Sequence, residues 1–386
     1  MAGDSNSDRN SRFGNSFSSQ EILEGIMRWA SVESPSVTPE AVARMFALAE
    51  SEFRQAGASI DREAARGDCG PIMRARFPGR QDGPGILVLG HLDTVHPLGT
   101  IEGPLKLRVE GDKLYGPGVF DMKGGIYLAL YALNRLRAES GQTELPVTFM
   151  MIPDEELGSP NTRHLIEQEA ARHKYVLVPE PARLGKLVSG RHAFVRYTVK
   201  TYGKPAHAGA DNKVGRSAIR GMARLIETIE SATDMSRLVS FSVGVVNGGL
   251  FVNVIPTECT AQVLCVASSP ENLQYVYDFM ANLKPPIDDV EVEVIKGAER
   301  PLVQASAGTL QLYEIARSTA AEFGLALEHG QFGGGSDGNF TGAMGVPTLD
   351  GLGVVGAGAH THDEHLVVSQ LAPRARIFAG LLAELD

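Results

Sequence analysis

Short apolar runs, each bounded by glycine, proline or charged residues, recur along the first half of the chain and are followed by acidic residues or histidine. Residues 85–90, 146–152 and 175–178 are such runs, and residues 122–137 carry apolar side chains at helical spacing between the first two. A continuous apolar run is typical of a strand buried on both faces of a parallel sheet. The alternation therefore predicts an α/β fold whose doubly wound, mostly parallel sheet is covered by helices.

The pattern changes in the middle of the chain. Residues 194–200 alternate apolar and polar side chains, which suits a strand with one solvated face. The order that follows, helix, strand, strand, helix, strand, completes a ferredoxin-like α+β unit with an antiparallel sheet. We therefore predict a main domain of residues 20–192 and 300–386, an inserted domain of residues 193–299, and a disordered tail of residues 1–19.

Charge and composition exclude several classes of function. The 386 residues include 36 Lys and Arg against 46 Asp and Glu, a net charge of −10, and 43% are hydrophobic. The acidic balance argues against a nucleic-acid or anionic membrane surface, since both require clustered Lys and Arg. Three cysteines are too few and too scattered for a disulfide framework. With no apolar span and no signal peptide in the sequence, we expect a cytoplasmic protein.

Acidic residues and a histidine follow the predicted buried strands, and one more aspartate precedes a predicted helix in a glycine-rich segment. The carboxyl ends of parallel strands converge on the ligand crevice of an open α/β sheet. Taken singly, each residue is more typical of a turn, a helix cap or a satisfied core position. Gathered together, the carboxylates would repel one another unless a cation neutralised them, so their joint placement favours a divalent metal site. The residues are His91, Asp93, Asp121, Glu155, Glu156 and Glu180.

Five short motifs occur in a fixed order along the chain. They are His91-x-Asp93-Thr94-Val95, Gly118-x-x-Asp121-Met122-Lys123-Gly124-Gly125, Asp154-Glu155-Glu156-x-Gly158-Ser159, Glu180-Pro181 and Ala359-His360-x-x-Asp363-Glu364. Over roughly residues 20–386 the sequence resembles the acetylornithine deacetylase, succinyl-diaminopimelate desuccinylase and glutamate carboxypeptidase family of dinuclear zinc metallopeptidases, which also includes aminoacylase-type enzymes. The resemblance implies that the main domain is catalytic and that the inserted ferredoxin-like domain serves as a dimerisation domain, or lid.

The resemblance also implies two metal ions. His91 and Glu180 hold one ion, and Asp121 bridges the pair through a carboxylate that precedes a cis peptide bond. Glu156 and His360 hold the other ion. Two histidines and three carboxylates suit Zn²⁺, with Mn²⁺ or Co²⁺ as alternatives.

Three further residues take catalytic roles by the same resemblance. Glu155 is the general acid and base, and Asp93 orients the imidazole of a metal ligand. His207, in the segment Gly203–Gly209, reaches the site from a partner subunit and stabilises the oxyanion. Without the resemblance, His207 would be interpreted as a turn histidine. Family spacing selects His360 as the last metal ligand, and His362 remains the alternative.

Two segments match substrate-contacting parts of the family. Asn253, in the segment Asn253–Pro256, matches an asparagine that contacts substrate. Gly334 and Gly335 lie in a glycine-rich turn that approaches substrate before a predicted helix, whose N-terminal amides could hold a carboxylate.

One position departs from the family pattern. Carboxypeptidase-like members carry an arginine thirteen residues after the asparagine, where this chain has Val266, so recognition of an amino-acid carboxylate is in question. Arg300 matches another arginine of the carboxypeptidase branch and could take that role. Arg183 and Arg191 are weaker candidates, for which we favour the interpretation as surface cations.

These observations predict a homodimeric, dinuclear zinc hydrolase that cleaves an amide bond of a small N-acyl amino acid or peptide, glutamate carboxypeptidase-like in its action. The Val266 departure supports an alternative, an aminoacylase- or deaminase-like hydrolase of an aromatic or xenobiotic amide or amine. A metal-binding pseudoenzyme is a third possibility, disfavoured because the acid–base position and all five ligand positions are filled. Neither nucleic acid nor a membrane is an expected partner.

Overall fold

The computed structural model describes residues 16–64, 67–285 and 287–386. These residues form two compact units. The first contains the described residues up to Gly190 together with Gln304–Gln331 and Ser336–Asp386, and the second contains Arg191–Val303 and Phe332–Gly335.

The helices of the described residues are α1 (Ser19–Ala30), α2 (Pro39–Gln55), α3 (Lys123–Ser140), α4 (Arg163–Ala170), α5 (Ala218–Glu230), α6 (Pro270–Ala281), α7 (Ala307–Ala321), α8 (Gly338–Ala343) and α9 (Leu371–Glu384). The strands are β1 (Ser59–Glu63), β2 (Ile72–Phe77), β3 (Ile86–His91), β4 (Arg108–Glu110), β5 (Lys113–Tyr115), β6 (Val147–Ile152), β7 (Tyr175–Leu177), β8 (Leu187–Arg191), β9 (Ala193–Tyr202), β10 (Val239–Gly248), β11 (Glu258–Ala267), β12 (Glu291–Arg300), β13 (His329–Phe332), β14 (Thr348–Leu349), β15 (Gly356–Ala357) and β16 (His365–Val367).

The first unit contains a six-stranded sheet in the order β1-β2-β6-β3-β7-β14. β6, β3, β7 and β14 run parallel to one another, whereas β2 is antiparallel to β6 and β1 is antiparallel to β2. The predicted α/β fold with a mostly parallel sheet is therefore confirmed, and the antiparallel β1–β2 edge is an addition that the sequence pattern did not predict.

The central strand β3 shows why a continuous apolar run marks a strand covered on both faces. Ile86 and Val88 pack into the larger core with helices α1, α2, α3, α7 and α9. Leu87 and Leu89 alternate with them and pack into a second core with α4 and α8. Each fully buried side chain of this size contributes about 1.5–3 kcal/mol to folding, so both helical layers hold the strand in place.

The second unit contains a four-stranded antiparallel sheet in the order β10-β11-β9-β12. Helices α5 and α6 pack on this sheet, and the apolar side chains of β9 that alternate toward them, Val195, Tyr197 and Val199, are buried. The chain order and the strand order are those of a ferredoxin-like fold, which confirms the predicted inserted domain. Helix α5 begins at Ala218, after the N-cap Ser217, whose hydroxyl accepts the N–H of Arg220.

The described residues include the end of the predicted disordered tail. Residues 1–15 of the predicted tail lie outside the described residues. Of the remainder, Phe17 is buried, the Ser18 hydroxyl accepts the backbone N–H of Glu21 at 3.3 Å, and α1 begins at Ser19. An apolar contact and an N-cap therefore hold this end of the tail. No helix of the described residues has the length and apolar character needed to cross a membrane.

Candidate metal centre

Neighbouring strands of the first unit carry candidate ligands at their carboxyl ends. β3 lies between β6 and β7 and runs parallel to both. β3 ends at His91, which pairs with Ile152, the last residue of β6. Glu155 and Glu156 follow β6 in a short 3-10 helix, and Glu180 follows β7. The sheet topology therefore places these side chains at one edge, where an open α/β sheet binds its ligands.

The Asp121 carboxylate lies between two imidazoles, one at each oxygen. His91 Nε2 is 3.3 Å from Asp121 Oδ1 and 3.7 Å from Glu180 Oε1. His360 Nε2 is 3.4 Å from Asp121 Oδ2 and 3.0 Å from Glu156 Oε2. We call His91, Asp121, Glu156, Glu180 and His360 the ligand cluster. Its geometry divides into two donor groups that share one aspartate.

The histidine that joins the cluster is His360. Its φ of 64° lies in the left-handed region, which costs a residue other than glycine of order 1–3 kcal/mol and is tolerated mainly at functional sites. The alternative ligand, His362, is exposed, and its ring centroid lies 6.5 Å from that of His96. The structure thus brings His360 to Glu156 and Asp121 and places His362 beside a different residue.

Burial and mutual repulsion disfavour the ionised form of two carboxylates of the cluster. Burial, reinforced by the negative charge of Asp121, raises the pKa of Glu180 well above its ordinary value. Burial likewise raises the pKa of Glu156. Burial would also raise the pKa of Asp121, but hydrogen bonds from His360 and His91 outweigh it, and the pKa is lowered. Two carboxylates whose ionisation is disfavoured beside an ionised third are typical of a cation site.

The two imidazoles respond in the opposite direction. Burial lowers the pKa of His91, but hydrogen bonds to Asp121 and Asp93 and the negative charges of Asp93 and Glu155 together outweigh burial, so the pKa is raised. Hydrogen bonds to Asp121 and Glu156 raise the pKa of His360 to about 10. In both rings the atom that faces the carboxylates is Nε2, the nitrogen that a metal would bind.

The donor set fits a divalent transition metal. One ligand atom each from His91, Asp121 and Glu156 lies within 4.8 Å of the others, close enough to hold one ion. Imidazole nitrogen and carboxylate oxygen are the donors that Zn²⁺, Mn²⁺ and Co²⁺ accept in proteins. The peptide bond between Asp121 and Met122 is cis, as the resemblance implied.

Asp93 is fully buried and contacts both sides of the cluster. The Nδ1 atom of His91 lies 3.0 Å from the Asp93 carbonyl oxygen and 3.4 Å from its Oδ1. The same carboxylate accepts the backbone N–H groups of Glu155 and Glu156, each at 3.3 Å. The hydroxyl of Ser36, which the sequence did not single out, donates to Asp93 Oδ2 at 2.6 Å. Asp93 therefore contacts the imidazole and the backbone that carries the two glutamates.

Glu155 is half-buried beside the cluster. Its negative charge contributes to raising the pKa values of His91 and Glu180, so its carboxylate lies within electrostatic range of both. The neighbouring Glu156 contacts His360. Adjacent glutamates in the 3-10 helix therefore occupy different surroundings, as separate roles in acid–base chemistry and metal binding require.

The second unit carries His207 and Asn253 on paired segments, with the Ala208 N–H donating to the Asn253 carbonyl at 3.0 Å. His207 is exposed, and its Nδ1 accepts the backbone N–H groups of Gly209 at 3.2 Å and Ala210 at 3.1 Å. A nitrogen that accepts hydrogen bonds holds no proton, so the neutral ring carries its proton on Nε2. His207 is thus prepared to act as a hydrogen-bond donor.

The glycine turn of the second unit lies against two arginines. Gly334 has a φ of 93°, and its carbonyl accepts a hydrogen bond from Arg191 Nη1 at 2.9 Å. A Cβ at Gly335 would lie 2.6 Å from Cδ of Arg300, so only glycine permits this approach. Arg191 and Arg300 are 2% and 9% exposed, whereas Arg183 is half-buried. Interpreting Arg191 as a surface cation is therefore wrong, because its guanidinium is used inside the turn.

The helix after this turn does not provide the carboxylate-binding amides that the sequence suggested. α8 has six residues, and its first N–H, from Gly338, donates to the Ser336 hydroxyl at 3.0 Å. The Ser336 N–H in turn donates to Asn339 Oδ1 at 2.9 Å. These amides are satisfied within the turn, which argues against a carboxylate bound by the N-terminus of this helix.

Sequence reasoning used Glu364 only to define the spacing to His360, yet Glu364 is buried and contacts the backbone of the cluster. Its Oε1 accepts the N–H groups of Phe120 at 3.0 Å and Asp121 at 3.2 Å. Its Oε2 lies 2.8 Å from His96 Nε2. Glu364 closes the last motif and His96 follows Asp93 by three residues, but neither position indicates in the sequence which groups Glu364 contacts.

Comparison with known proteins identifies the family of this chain. The family model of peptidase family M20/M25/M40 matches residues 87–384. Carboxypeptidase G2 from Pseudomonas sp. (strain RS-16) is 29% identical over 374 residues, which cover 94% of this chain and 89% of that protein. Succinyl-diaminopimelate desuccinylase from Novosphingobium aromaticivorans is 27% identical over 372 residues, covering 90% and 94%.

A solved structure agrees on the fold. A tripeptidase from Staphylococcus aureus superposes with a TM-score of 0.76, covering 96% of this chain and 99% of that one at 19% sequence identity. At that identity the likeness shows the fold alone. The family model spans most of the chain and includes every segment of the ligand cluster, so the chain belongs to peptidase family M20/M25/M40 and is a metallohydrolase of peptide or amide bonds.

Proposed function

We propose that this protein is a dinuclear metal-dependent hydrolase that cleaves an amide bond of an N-acyl amino acid or peptide, glutamate carboxypeptidase-like. The observation that carries the proposal is the Asp121 carboxylate, which lies between His91 and His360 with one oxygen toward each. Glu180 and Glu156 complete the two sides. The 29% identity to carboxypeptidase G2 supports the choice of substrate class.

We propose two zinc ions, with manganese or cobalt as alternatives. His91 and Glu180 would hold one ion, Glu156 and His360 would hold the other, and Asp121 would be shared by both. When bound, the ions supply Lewis acidity to the substrate carbonyl and to water.

The surrounding side chains then have distinct tasks. Glu155 accepts a proton from the attacking water and delivers it to the leaving nitrogen. Asp93 keeps the His91 ring and the Glu155 backbone in place through its hydrogen bonds. His207, with its proton on Nε2, donates to the oxyanion from the partner subunit.

Substrate binding falls to residues of the second unit. Asn253 donates to the substrate amide or carboxylate, and Gly334 and Gly335 let the backbone approach it closely. Arg300, whose guanidinium is buried beside Gly335, supplies a cation for a substrate carboxylate.

One observation favours the alternative, an aminoacylase- or deaminase-like hydrolase of an aromatic or xenobiotic amide or amine. In the antiparallel sheet Val266 is paired with Phe194, and Phe194 is paired with Arg300 on its other side. Directly paired residues share one face of a sheet, so two apolar side chains lie beside the arginine. An apolar or aromatic substrate group would suit that row better than a second carboxylate.

We propose that the protein is a homodimer assembled through its second unit. β10 is an edge strand of the antiparallel sheet, and the loop after it exposes the apolar side chains of Leu250, Phe251 and Val252. A long edge strand beside an apolar loop favours pairing with another copy.

Light scattering coupled to gel filtration of wild type and Phe251→Glu tests this proposal. We expect a dimer that the substitution weakens. A monomeric wild type would contradict it and would leave His207 without its proposed role. The cytoplasmic location remains a prediction.

The experiment that tests the function is a hydrolysis screen of purified protein loaded with Zn²⁺, Mn²⁺ or Co²⁺. The panel contains dipeptides and N-acyl amino acids ending in glutamate, N-acyl apolar amino acids, and aromatic amides and amines. Cleavage of the glutamate set supports the main proposal, and cleavage of only the apolar or aromatic set supports the alternative. Metal binding without hydrolysis of any compound would favour the pseudoenzyme.

A further inference from the structure

Glu364 is a buried carboxylate that lies outside the proposed ligand set. It is 1% exposed. One oxygen accepts the backbone N–H groups of Phe120 and Asp121, and the other is hydrogen-bonded to the imidazole of His96. Both carboxylate oxygens are therefore engaged by groups of the protein itself.

These contacts join three segments that each carry a member of the ligand cluster. His96 follows β3, the strand that ends at His91, and the accepted N–H groups belong to the segment of Asp121. Glu364 itself follows His360 by four residues, and its carbonyl accepts the Gly116 N–H at 3.4 Å. Glu364 therefore connects the three parts of the chain whose relative positions set the distances between the ligand atoms of the cluster.

The hydrogen bonds of Glu364 act directly on the backbone that carries Asp121. The N–H groups of two adjacent residues, Phe120 and Asp121, converge on one oxygen of its carboxyl group. Each hydrogen bond of this kind contributes about 0.5–1.5 kcal/mol, so together they restrict the conformation of the Phe120–Asp121 backbone.

We propose that Glu364, together with His96, is a positioning residue of the metal pair: it fixes the backbone of Asp121 so that one carboxylate oxygen reaches each side of the cluster. The inference rests on the proposed dinuclear site. Glu364 acts through Asp121 and touches neither metal nor substrate. Its loss therefore changes metal affinity and coordination geometry before it changes anything else.

The test compares Glu364→Ala and Glu364→Gln with Glu169→Ala, a matched control. Glu169 is also a buried, hydrogen-bonded glutamate of the first unit, but its partners are arginines of β2 and not the cluster. The readouts are metal content by mass spectrometry, metal affinity by competition with a chelator, and the visible absorption spectrum of the Co²⁺-loaded protein. Thermal unfolding of the metal-free proteins reports stability separately.

For Glu364→Ala we expect metal affinity to fall about 10–100-fold, as for other residues that orient metal ligands, with an altered cobalt spectrum. Glu364→Gln keeps an acceptor oxygen for the two N–H groups, so it should recover much of the affinity. His96→Gln should lower affinity in the same direction, and its effect should not add to that of Glu364→Ala. Glu169→Ala should lose stability while it keeps the wild-type affinity and spectrum.

The inference is overturned if Glu364→Ala binds two ions with wild-type affinity and an unchanged cobalt spectrum. It is also overturned if the control changes affinity and spectrum as much as Glu364→Ala does, since the role is then only structural. Should Glu364→Ala fail to fold, Glu364→Gln and His96→Gln decide the matter: unchanged affinity and spectra in both reject it. A wild-type protein that binds no divalent metal rejects the proposed function instead.

Discussion

The first unit holds two groups of buried carboxylates that differ in how their charge is neutralised. In the ligand cluster, Glu180 lies near Asp121, and burial together with that charge raises its pKa. In the second group, which we call the arginine network, Glu169 accepts hydrogen bonds from Arg74 at 3.0 Å and Arg76 at 2.9 Å. There burial opposes ionisation, but the arginines outweigh it, and the pKa of Glu169 is lowered.

The difference shows where the protein neutralises buried carboxylates with its own arginines and where it does not. Burial opposes ionisation at Glu169 as it does at Glu180, so burial alone does not decide the direction of the pKa shift. The deciding factor is the partner, since guanidinium groups stabilise the carboxylate in one place and other carboxylates disfavour it in the other. A buried acidic group without Lys or Arg partners is therefore the stronger indication of a site for an external cation.

The largest effect that would sharpen this comparison is on catalysis. Glu155→Gln removes the proposed proton carrier beside the ligand cluster without removing a proposed metal ligand. We expect kcat for whichever amide the wild-type protein cleaves to fall about 10²–10⁴-fold, because an amide cannot accept the proton. Steady-state kinetics and metal analysis of the same preparations measure it.

Glu169→Gln is the matched control for that measurement, since it makes the same chemical change in the arginine network. It should retain wild-type kcat at a temperature where it is folded. If Glu155→Gln keeps wild-type activity and metal content, the proposed acid–base mechanism is wrong.

The second prediction is that replacing Glu180 stabilises the metal-free protein but weakens its stabilisation by metal. In protein stripped of metal by a chelator, Glu180→Gln should raise the free energy of unfolding at neutral pH by about 1–3 kcal/mol, because burial and the negative charge of Asp121 disfavour the ionised Glu180 carboxylate in the folded protein. The same substitution should abolish much of the stabilisation that added Zn²⁺ gives the wild type. Chemical denaturation with and without metal measures both quantities. A loss of stability in the metal-free variant would show that the cluster is neutralised by the protein.

The two regions also differ in how well the sequence predicts them. His91 was predicted because an apolar run marks β3 and its end, and the parallel order of β6, β3 and β7 places the ends of these strands together. β2 was missed, since Arg74 and Arg76 interrupt its apolar pattern. The burial of Arg74 is explained only by its ion pair with Glu169, which lies 95 residues away along the chain. Tertiary pairing there overrides the local pattern.

The same limit applies inside the site. The motifs predicted which residues gather at the cluster, because each motif is a local feature of the sequence. The contact of Glu364 with Phe120 spans 244 residues, and nothing local to either position reports it. Residues such as Glu364, which contact the backbone of the cluster, are therefore identified from the structure, whereas the candidate metal ligands are identified from the sequence motifs.

The third prediction concerns pH in the arginine network. Since the folded-state pKa of Glu169 lies below its ordinary value of 4.5, its ion pairs stabilise the protein fully above that value. The contribution is lost as the pH falls from 4.5 through the lower folded-state pKa. We expect Glu169→Gln to cost about 2 kcal/mol of unfolding free energy at pH 7 and progressively less below pH 4.5.

Urea denaturation of the metal-free proteins between pH 7 and pH 3.5 follows this convergence. Metal-free protein is needed because protonation of the ligand cluster would otherwise change metal binding over the same range. A difference between the variant and wild type that stays constant across this range would contradict the assigned ion pairs.

The smallest expected effect distinguishes support of the cluster from general packing. Ser36 and Ser34 are buried hydroxyls of one loop: Ser36 donates to Asp93 Oδ2 at 2.6 Å, and Ser34 donates to the Leu92 carbonyl at 2.6 Å. Each loss to alanine should cost about 1 kcal/mol of stability, because each removes one hydrogen bond. Only Ser36→Ala should also weaken metal binding, by up to about tenfold, because the same carboxylate lies against His91 and accepts the Glu155 and Glu156 N–H groups. Chelator competition on the two variants measures it, and equal affinities would place Asp93 outside the functional support of the cluster.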